Sequence, residues 1–473
     1  MGKRQRGGKG GRGGRGGGRG GRGGKRQKRE GFDDRNSWPE LEKQNKSMED
    51  YYKVQNIVPE SEWEDFLKAC RDTLPTTFRI SPVCTFADEI REQLKSRFTD
   101  LHVEDVEMDE DDERLQPPKL IPWYPQELAW QMSISKKAIK RTAVLERFHK
   151  YLIAETETGN LTRQEAVSMI PPLLMDVKPH HRVLDMCAAP GSKTSQLLEF
   201  VHAQCGANGV PKGIVIANDA DLDRCSMLIH QMKRINSPSL LVMNHEAQKI
   251  PMLWAKSEDG KKVPLRYDRV LADVPCTGDG TMRKNVDVWR KWTPAQAMGL
   301  HKTQLQICTR AVELCEAGGI VVYSTCSMNP IENEAVVSAV LKRFKNCLEL
   351  EDVSHELPEL KRRPGLLTWK VKDRKEENKW SSTPFYFSYN LEDVPPNLKS
   401  VFPESMFPPA DAADLHLERC MRVLPHDQNT GAFFICKLRK TADHMAPSKQ
   451  KEVESVSVSE DTSEREVDCE ALL

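Results

Sequence analysis

The chain has 473 residues, 30% of them charged and 38% hydrophobic, with a formal net charge of zero. That neutrality averages unlike parts: residues 1–30 hold 14 of the 28 glycines and 12 Lys or Arg against one Glu, so they carry +11 and the remainder −11. No apolar run approaches the ~20 residues of a membrane helix, and charge stands where a signal peptide would be apolar, so the expectation is a nuclear or cytosolic protein without membrane attachment.

Residues 1–36, dominated by GGRGGRGGGRGGRGG, bury too little to fold and read as a disordered basic tail suited to nucleic-acid contact or nuclear targeting. From Trp38 the composition becomes mixed. WPELEKQNKSMEDYYKVQNIVP and ESEWEDFLKACRDTLP predict two amphipathic helices with proline stops, opening an N-terminal α+β module over 37–175. Residues 104–113 carry eight acids in ten positions, a solvated loop without the glycine turn of a calcium site. LAWQMSISKKAIKRTAVLERFHKYLIAE predicts a helix with a basic face.

Five short apolar runs follow, separated by helix-like sequence: RVLDM (182–186), GIVIAN (213–218), SLLVMN (239–244), DRVLAD (268–273) and GIVVYST (319–325). Near-continuous Val, Ile and Leu marks strands buried on both faces, hence a parallel sheet in a doubly wound, Rossmann-like α/β domain over 176–440. The helix before the last run is expected to end in a Gly-Gly cap, and GAFFICKLRK (431–440) adds a further strand. Residues 441–473 read as a disordered tail. The thirteen cysteines include no C-x-x-C pair, so neither zinc-ribbon spacing nor a disulfide framework is expected, and no metal is implied.

In open α/β sheets, ligands sit beyond the carboxyl ends of the strands. After the first run come Cys187, Ala188, Ala189, Pro190, Gly191, Ser192 and Lys193, small residues that let backbone approach a ligand at a helix N-terminus. A Walker loop is excluded because Met186 stands where its first glycine belongs. The second run ends Asn218-Asp219-Ala220-Asp221, placing a carboxylate where it could accept the ribose hydroxyls of an adenosine, and the third ends Asn244-His245-Glu246, where a carboxyl can reach the adenine edge. Asp273 and Cys276 follow the fourth run and Cys326 the fifth; strands four and five of such a sheet are usually neighbours, so the two thiols should emerge side by side. A thiolate adding to C6 of a pyrimidine makes C5 nucleophilic enough to take a methyl group from S-adenosylmethionine, and a second thiol could assist release. Asp273, if protonated, could hold ring N3. The set fits cytosine C5 methylation.

The segments DMCAAPGSKT, DVPCTGDGT and STCSMNPIENE resemble the signatures of the Nop/Sun family of RNA (cytosine-5) methyltransferases. GNLTRQEAVSMIPP, GTMRKNVDVWRKW and LPHDQNTGAFF make the likeness strongest to its tRNA-modifying member, from about Trp38 to Lys440. The resemblance implies that Cys326 is the nucleophile and Cys276 the residue that helps release product. It further implies that Cys187 to Lys193, Asp219, Glu246 and Asp273 bind S-adenosylmethionine, that the 37–175 module binds RNA, and that the product is 5-methylcytosine in tRNA, with messenger and other RNAs as further substrates. The family usually has Asp where Glu246 stands, and its tRNA-modifying member continues beyond the position of Leu473; a non-catalytic RNA-binding isoform is therefore the alternative reading. The expected setting is the nucleus, with the nucleolus and cytoplasm as further sites.

RNA needs basic contacts. Arg283, Lys284, Arg290 and Lys291 with Trp289 and Trp292 combine charge and stacking surface beside the first cysteine loop; Lys136, Lys137, Lys140 and Arg141 form a second cluster. His426 reads as structural. Nothing calls for an obligate dimer, so a monomer is expected.

Overall fold

The structure, a computed structural model, describes residues 42–98, 116–133, 143–371 and 391–443, except 204, 206–208, 258, 395, 397–398 and 400. The basic tail, the acidic 104–113 loop, the 136–141 cluster and the C-terminal tail beyond 443 lie outside those residues.

Two helices begin the described chain where the sequence pattern puts them. Helix α1 (Lys46–Gln55) starts at Asn45, whose side chain accepts Met48 N at 3.0 Å, and buries Met48, Tyr51, Tyr52 and Gln55. Helix α2 (Trp63–Arg71) buries Trp63, Phe66, Leu67 and Cys70. Both sets fall at i, i+3, i+4, i+7, one helical face. Strands β1 (Thr76–Ile80), β2 (Gln116–Leu120), β3 (Ala129–Ser133) and β4 (Leu161–Arg163) form an antiparallel sheet in the order β2-β3-β1-β4, with helix α3 (Ala87–Phe98) after β1 and α4 (Ala143–Glu157) before β4. Here the helix expected from Leu128 is corrected. Ala129–Ser133 pairs with both β1 and β2, and this pairing overrides local helix preference.

The second sheet has nine strands. Its parallel half is β5 (Arg182–Asp185), β6 (Ile214–Asn218), β7 (Leu240–Met243), β10 (Tyr267–Asp273) and β11 (Cys315–Thr325); a hairpin, β8 (Leu253–Lys256) and β9 (Lys262–Leu265), stands apart from it. Helices α5 (Ser192–His202), α6 (Leu222–Met232), α7 (Pro294–Leu314) and α8 (Glu334–Arg343) connect the strands. The other half is antiparallel: β12 (Leu348–Leu350), β13 (Arg363–Pro364), β14 (Met421–Val423) and β15 (Phe433–Lys440). The order is β13-β14-β15-β11-β10-β5-β6-β7, with β12 also on β15. Helix α7 stops at Leu314, not at the glycine pair; Gly318 instead sits at φ +83° inside β11, a left-handed conformation that favours glycine.

Both faces of the parallel strands are buried, as the apolar runs require. Leu184, Ile216, Val270 and Val321 face one core while Val183, Val215, Leu271 and Val322 face the other. The second core also takes in Phe78 and Trp130 of the N-terminal sheet and Phe148 of α4, so the described residues from Lys43 onward make one compact unit. A buried ion pair from Arg79 on β1 to Glu199 on α5 crosses the same boundary, with Gln164 and Ser195 on the guanidinium. The chain runs from β5 outward to β7 and then returns to β10 on the other side of β5. That reversal opens a crevice at the carboxyl ends of β5 and β10.

Candidate active site

The turn after β5 is shaped by glycine. Gly191 caps α5 at φ +112°, and a Cβ there would lie 2.7 Å from Leu228 Cδ1 and 2.9 Å from Met232 Cε, so only a bare backbone packs this turn onto α6. Ala188 N donates to Asn218 O at 2.8 Å, joining the turn to the end of β6. Asp219, buried there, turns its carboxylate inward and accepts Ala189 N at 3.2 Å and Asp221 N at 3.1 Å, with Arg224 at 3.4 Å. Beneath the turn, Asp185 accepts Thr194 Oγ1 at 2.8 Å, and burial pushes its carboxyl up to about 7. Glu246 is exposed, its carboxylate engaged by Gln248 and Lys249 of its own turn at 2.8 and 3.0 Å. A groove of about 400 Å³ lies beside Gly191, between α4, β4 and the end of α6, rather than over the thiols.

The thiols do emerge together. β10 and β11 are parallel neighbours with Asp273 opposite Ser324, and just past their ends Cys276 Sγ and Cys326 Sγ stand 3.3 Å apart. The hydrogen bond with Cys326, reinforced by burial, pushes the Cys276 thiol far up, so Cys276 keeps its proton. Lys193 Nζ donates to Asp273 Oδ2 at 2.7 Å and lies 5.3 Å from the centre of the Phe433 ring. Burial opposes the charge on Lys193, but the Asp273 carboxylate outweighs it and holds the ammonium above its ordinary range. Ser324 Oγ takes the other Asp273 oxygen at 2.7 Å. Both Asp273 oxygens thus act as acceptors, from Lys193 and from Ser324, and Lys193 is the charged donor at this edge.

Three of the six residues expected to grip RNA are core residues. Trp289 and Trp292 are 1% and 3% exposed and pack against α1 and α2, with the Trp292 ring centre 5.4 Å from Tyr51 and 5.6 Å from Tyr52. Arg283 is buried too, donating to Thr73 O, Thr430 O and Asn429 Oδ1 at 3.0, 2.8 and 2.6 Å. The two tryptophans belong to one short turn of helix, Asp287–Lys291, with Trp289 inside it and Trp292 at its extended C-cap. Lys284, Arg290 and Lys291 are exposed, the last two paired with Asp287 at 2.9 Å. His426 packs between Glu62 and Arg363 at 3.0 and 3.1 Å, and the same guanidinium binds both Glu62 and Asp427.

Sequence reasoning missed two buried carboxylates below the thiols. Asp279 accepts Tyr52 Oη, Trp292 Nε1 at 2.9 Å and Met328 N at 2.8 Å. Glu332 accepts from residues on both cysteine loops. Each lies in a quoted motif, but Tyr52 is far away in sequence and no local pattern pairs it with Asp279.

Sheet order, glycine turn and inward carboxylate define an open Rossmann-like fold with its ligand edge at the carboxyl ends of β5, β6 and β10. The structure of NSun6 from Pyrococcus horikoshii with SFG superposes with a TM-score of 0.54 at 18% identity, covering 85% of this chain and all of that one. Residues 172–368 match the model of the 16S rRNA methyltransferase RsmB/F family. The tRNA (cytosine(34)-C(5))-methyltransferase of Drosophila melanogaster is 45% identical over 90% of this chain and 57% of its own length. The tRNA (cytosine(49)-C(5))-methyltransferase of Pyrococcus abyssi is 30% identical over 61% of this chain and 73% of its own. The chain therefore belongs to the RsmB/F, or Nop/Sun, family of RNA (cytosine-5) methyltransferases. It spans a little over half the length of the Drosophila relative.

Proposed function

We propose that this protein transfers a methyl group from S-adenosylmethionine to C5 of cytosine in RNA, tRNA first among its substrates, through a covalent adduct on Cys326. The observation that carries this reading is the pair of sulfurs 3.3 Å apart at the ends of adjacent parallel strands, beside the Lys193–Asp273 ion pair. Residues 187–193 with Asp219, Glu246 and Asp273 would hold the methyl donor, at the carboxyl ends of β5 and β10 where the sheet order reverses. When bound, the donor supplies an electrophilic methyl group.

The chain's own residues do the rest. Cys276 keeps its proton and donates it toward Cys326, which leaves Cys326 as the sulfur free to attack C6 as a thiolate. Attack drives electrons toward N3 and O2 of the ring, where the Lys193 ammonium offers N–H donors. With C5 methylated, Cys326 is a thioether and a poor acceptor. The hydrogen bond to Cys326 no longer holds the Cys276 proton; Cys276 must then give that proton to solvent, against the burial that still opposes it, before its thiolate takes the proton from C5. The Cys326–C6 bond breaks, and the electron pair returns to Cys326. A target cytosine must leave its stack to reach the thiols. The +11 charge of residues 1–30 supports attraction to RNA and a nuclear address.

The test is methyl transfer from labelled S-adenosylmethionine to tRNA. Cys326→Ala should abolish transfer and form no adduct, and Cys276→Ala should accumulate a covalent protein–RNA species on a denaturing gel. The opposite pattern would exchange the two roles, and donor binding without transfer to any RNA would favour a non-catalytic RNA-binding protein.

A further inference from the structure

We propose that Glu332 is a positioning residue that holds the Cys276 loop in register with Cys326, so that it governs release of the methylated base rather than attack on it. The inference rests on the two-thiol reading above and adds a residue to it.

Glu332 is fully buried six residues after Cys326, and among the described residues no cation pairs with it. Four donors satisfy it instead. Oε1 accepts Thr277 N and Gln304 Nε2, both at 2.9 Å, and Oε2 accepts Thr277 Oγ1 at 2.5 Å and the Ser327 hydroxyl. Thr277 follows Cys276 and Ser327 follows Cys326, so one carboxylate ties together the residues next to both sulfurs. Gln304 extends the brace to α7 and also donates to Pro275 O at 2.9 Å, on the other side of Cys276. Burying a carboxylate without a cation is costly, and burial with the nearby Asp279 pushes this one up to about 7. Charge-assisted hydrogen bonds from four donors offset that cost only while both loops stay in place.

The two loops do not depend equally on the brace. Cys326 comes directly off β11, paired on one side with β10 and on the other with β15 up to Thr325, and its carbonyl accepts Gly280 N at 2.9 Å. Cys276 lies three residues beyond the end of β10. Beyond Val274, whose N–H reaches Ser324 O at 3.1 Å, the stretch from Pro275 to Thr277 is braced by Gln304 and Glu332, while the far end of the loop is anchored separately at Asp279, by Met328 N, and at Gly280, by Cys326 O. Gly278, at φ +70°, lies between the two and gives the loop a pivot. Loss of the carboxylate therefore loosens the stretch that carries Cys276 more than the strand end that carries Cys326.

Attack needs Cys326, and release needs Cys276 at the C5 proton. Glu332→Gln keeps the volume but presents a second donor to groups that already donate. Thr277→Val keeps the shape and removes only the hydroxyl that Glu332 and Ser327 share. Single-turnover adduct formation and steady-state methyl transfer are measured for both, beside Cys276→Ala. Glu332→Gln should form adduct within about threefold of the wild-type rate, slow turnover by about tenfold or more, and accumulate the covalent species; Thr277→Val should do the same to a smaller degree. Equal loss of adduct and turnover in both variants, or wild-type behaviour in both, overturns the inference. If Cys276→Ala itself accumulates no adduct, the two-thiol reading fails and the inference fails with it.

Discussion

Gly280 shows how tightly the site is set at the scale of single residues. Its N–H meets Cys326 O, its carbonyl accepts Ala432 N at 3.0 Å, and a Cβ would fall 2.3 Å from Ala432 O and 2.8 Å from Cys326 O, all of it backbone. No flexible side chain can yield there. Gly280→Ala should cost about 1–3 kcal/mol in a denaturant titration and lower methyl transfer at least tenfold, because the β15 turn and the Cys326 loop must separate. Unchanged turnover would show that the loops tolerate the shift. The motif residues Cys276, Cys326, Asp273, Lys193 and Asp219 were legible because the ends of parallel strands meet by topology. What escaped the sequence was the sense of each contact: Asp273 accepts from Lys193 and Ser324, and Trp289 and Trp292 look like a stacking platform until α1 and α2 cover them.

Among the elements, the antiparallel extension of the sheet is held by a buried ion pair. Arg422 on β14 grips Glu334 at the start of α8 with two guanidinium nitrogens and gives a third bond to Met328 O at 2.8 Å. Glu334 also accepts Leu366 N at 2.9 Å. Removing one partner strands the other charge, so Arg422→Met should destabilise the fold by about 3–5 kcal/mol, and Arg422→Met with Glu334→Leu should recover much of it. Equilibrium unfolding of the single and double variants decides; equal losses in both would place the stabilisation elsewhere. The long buried runs declared β5, β6, β10 and β11 by composition alone. β3 lacks such a run, and β13 and β14 are two and three residues long; all three owe their state to partners, which is why Ala129–Ser133 passed for helix and the 363–364 and 421–423 strands carried no signal of their own.

For the whole molecule, burial redistributes the charge available to RNA. With Arg283, Trp289 and Trp292 inside, the exposed cations beside the Cys276 loop are Lys284, Arg290 and Lys291. Trp292→Ala should lower stability by about 3–5 kcal/mol yet leave the salt dependence of tRNA binding unchanged. Lys284→Ala should leave stability unchanged and reduce the log–log salt slope by about 1. Binding measured between 50 and 200 mM salt separates them, and an unaltered slope for Lys284→Ala would remove this face from the RNA contact. The placement of β15 sets a timetable as well as a shape. β11 receives its second partner from a strand made roughly a hundred residues later, a wait of about 5–20 s at ~5–20 residues per second. Until then the strand that delivers Cys326 has a bare edge, and the thiols lack the wall that Phe433 and Ala432 provide. On the ribosome this sheet is completed only when β15 emerges, and the strand that leads to Cys326 is the edge most in need of a chaperone's cover.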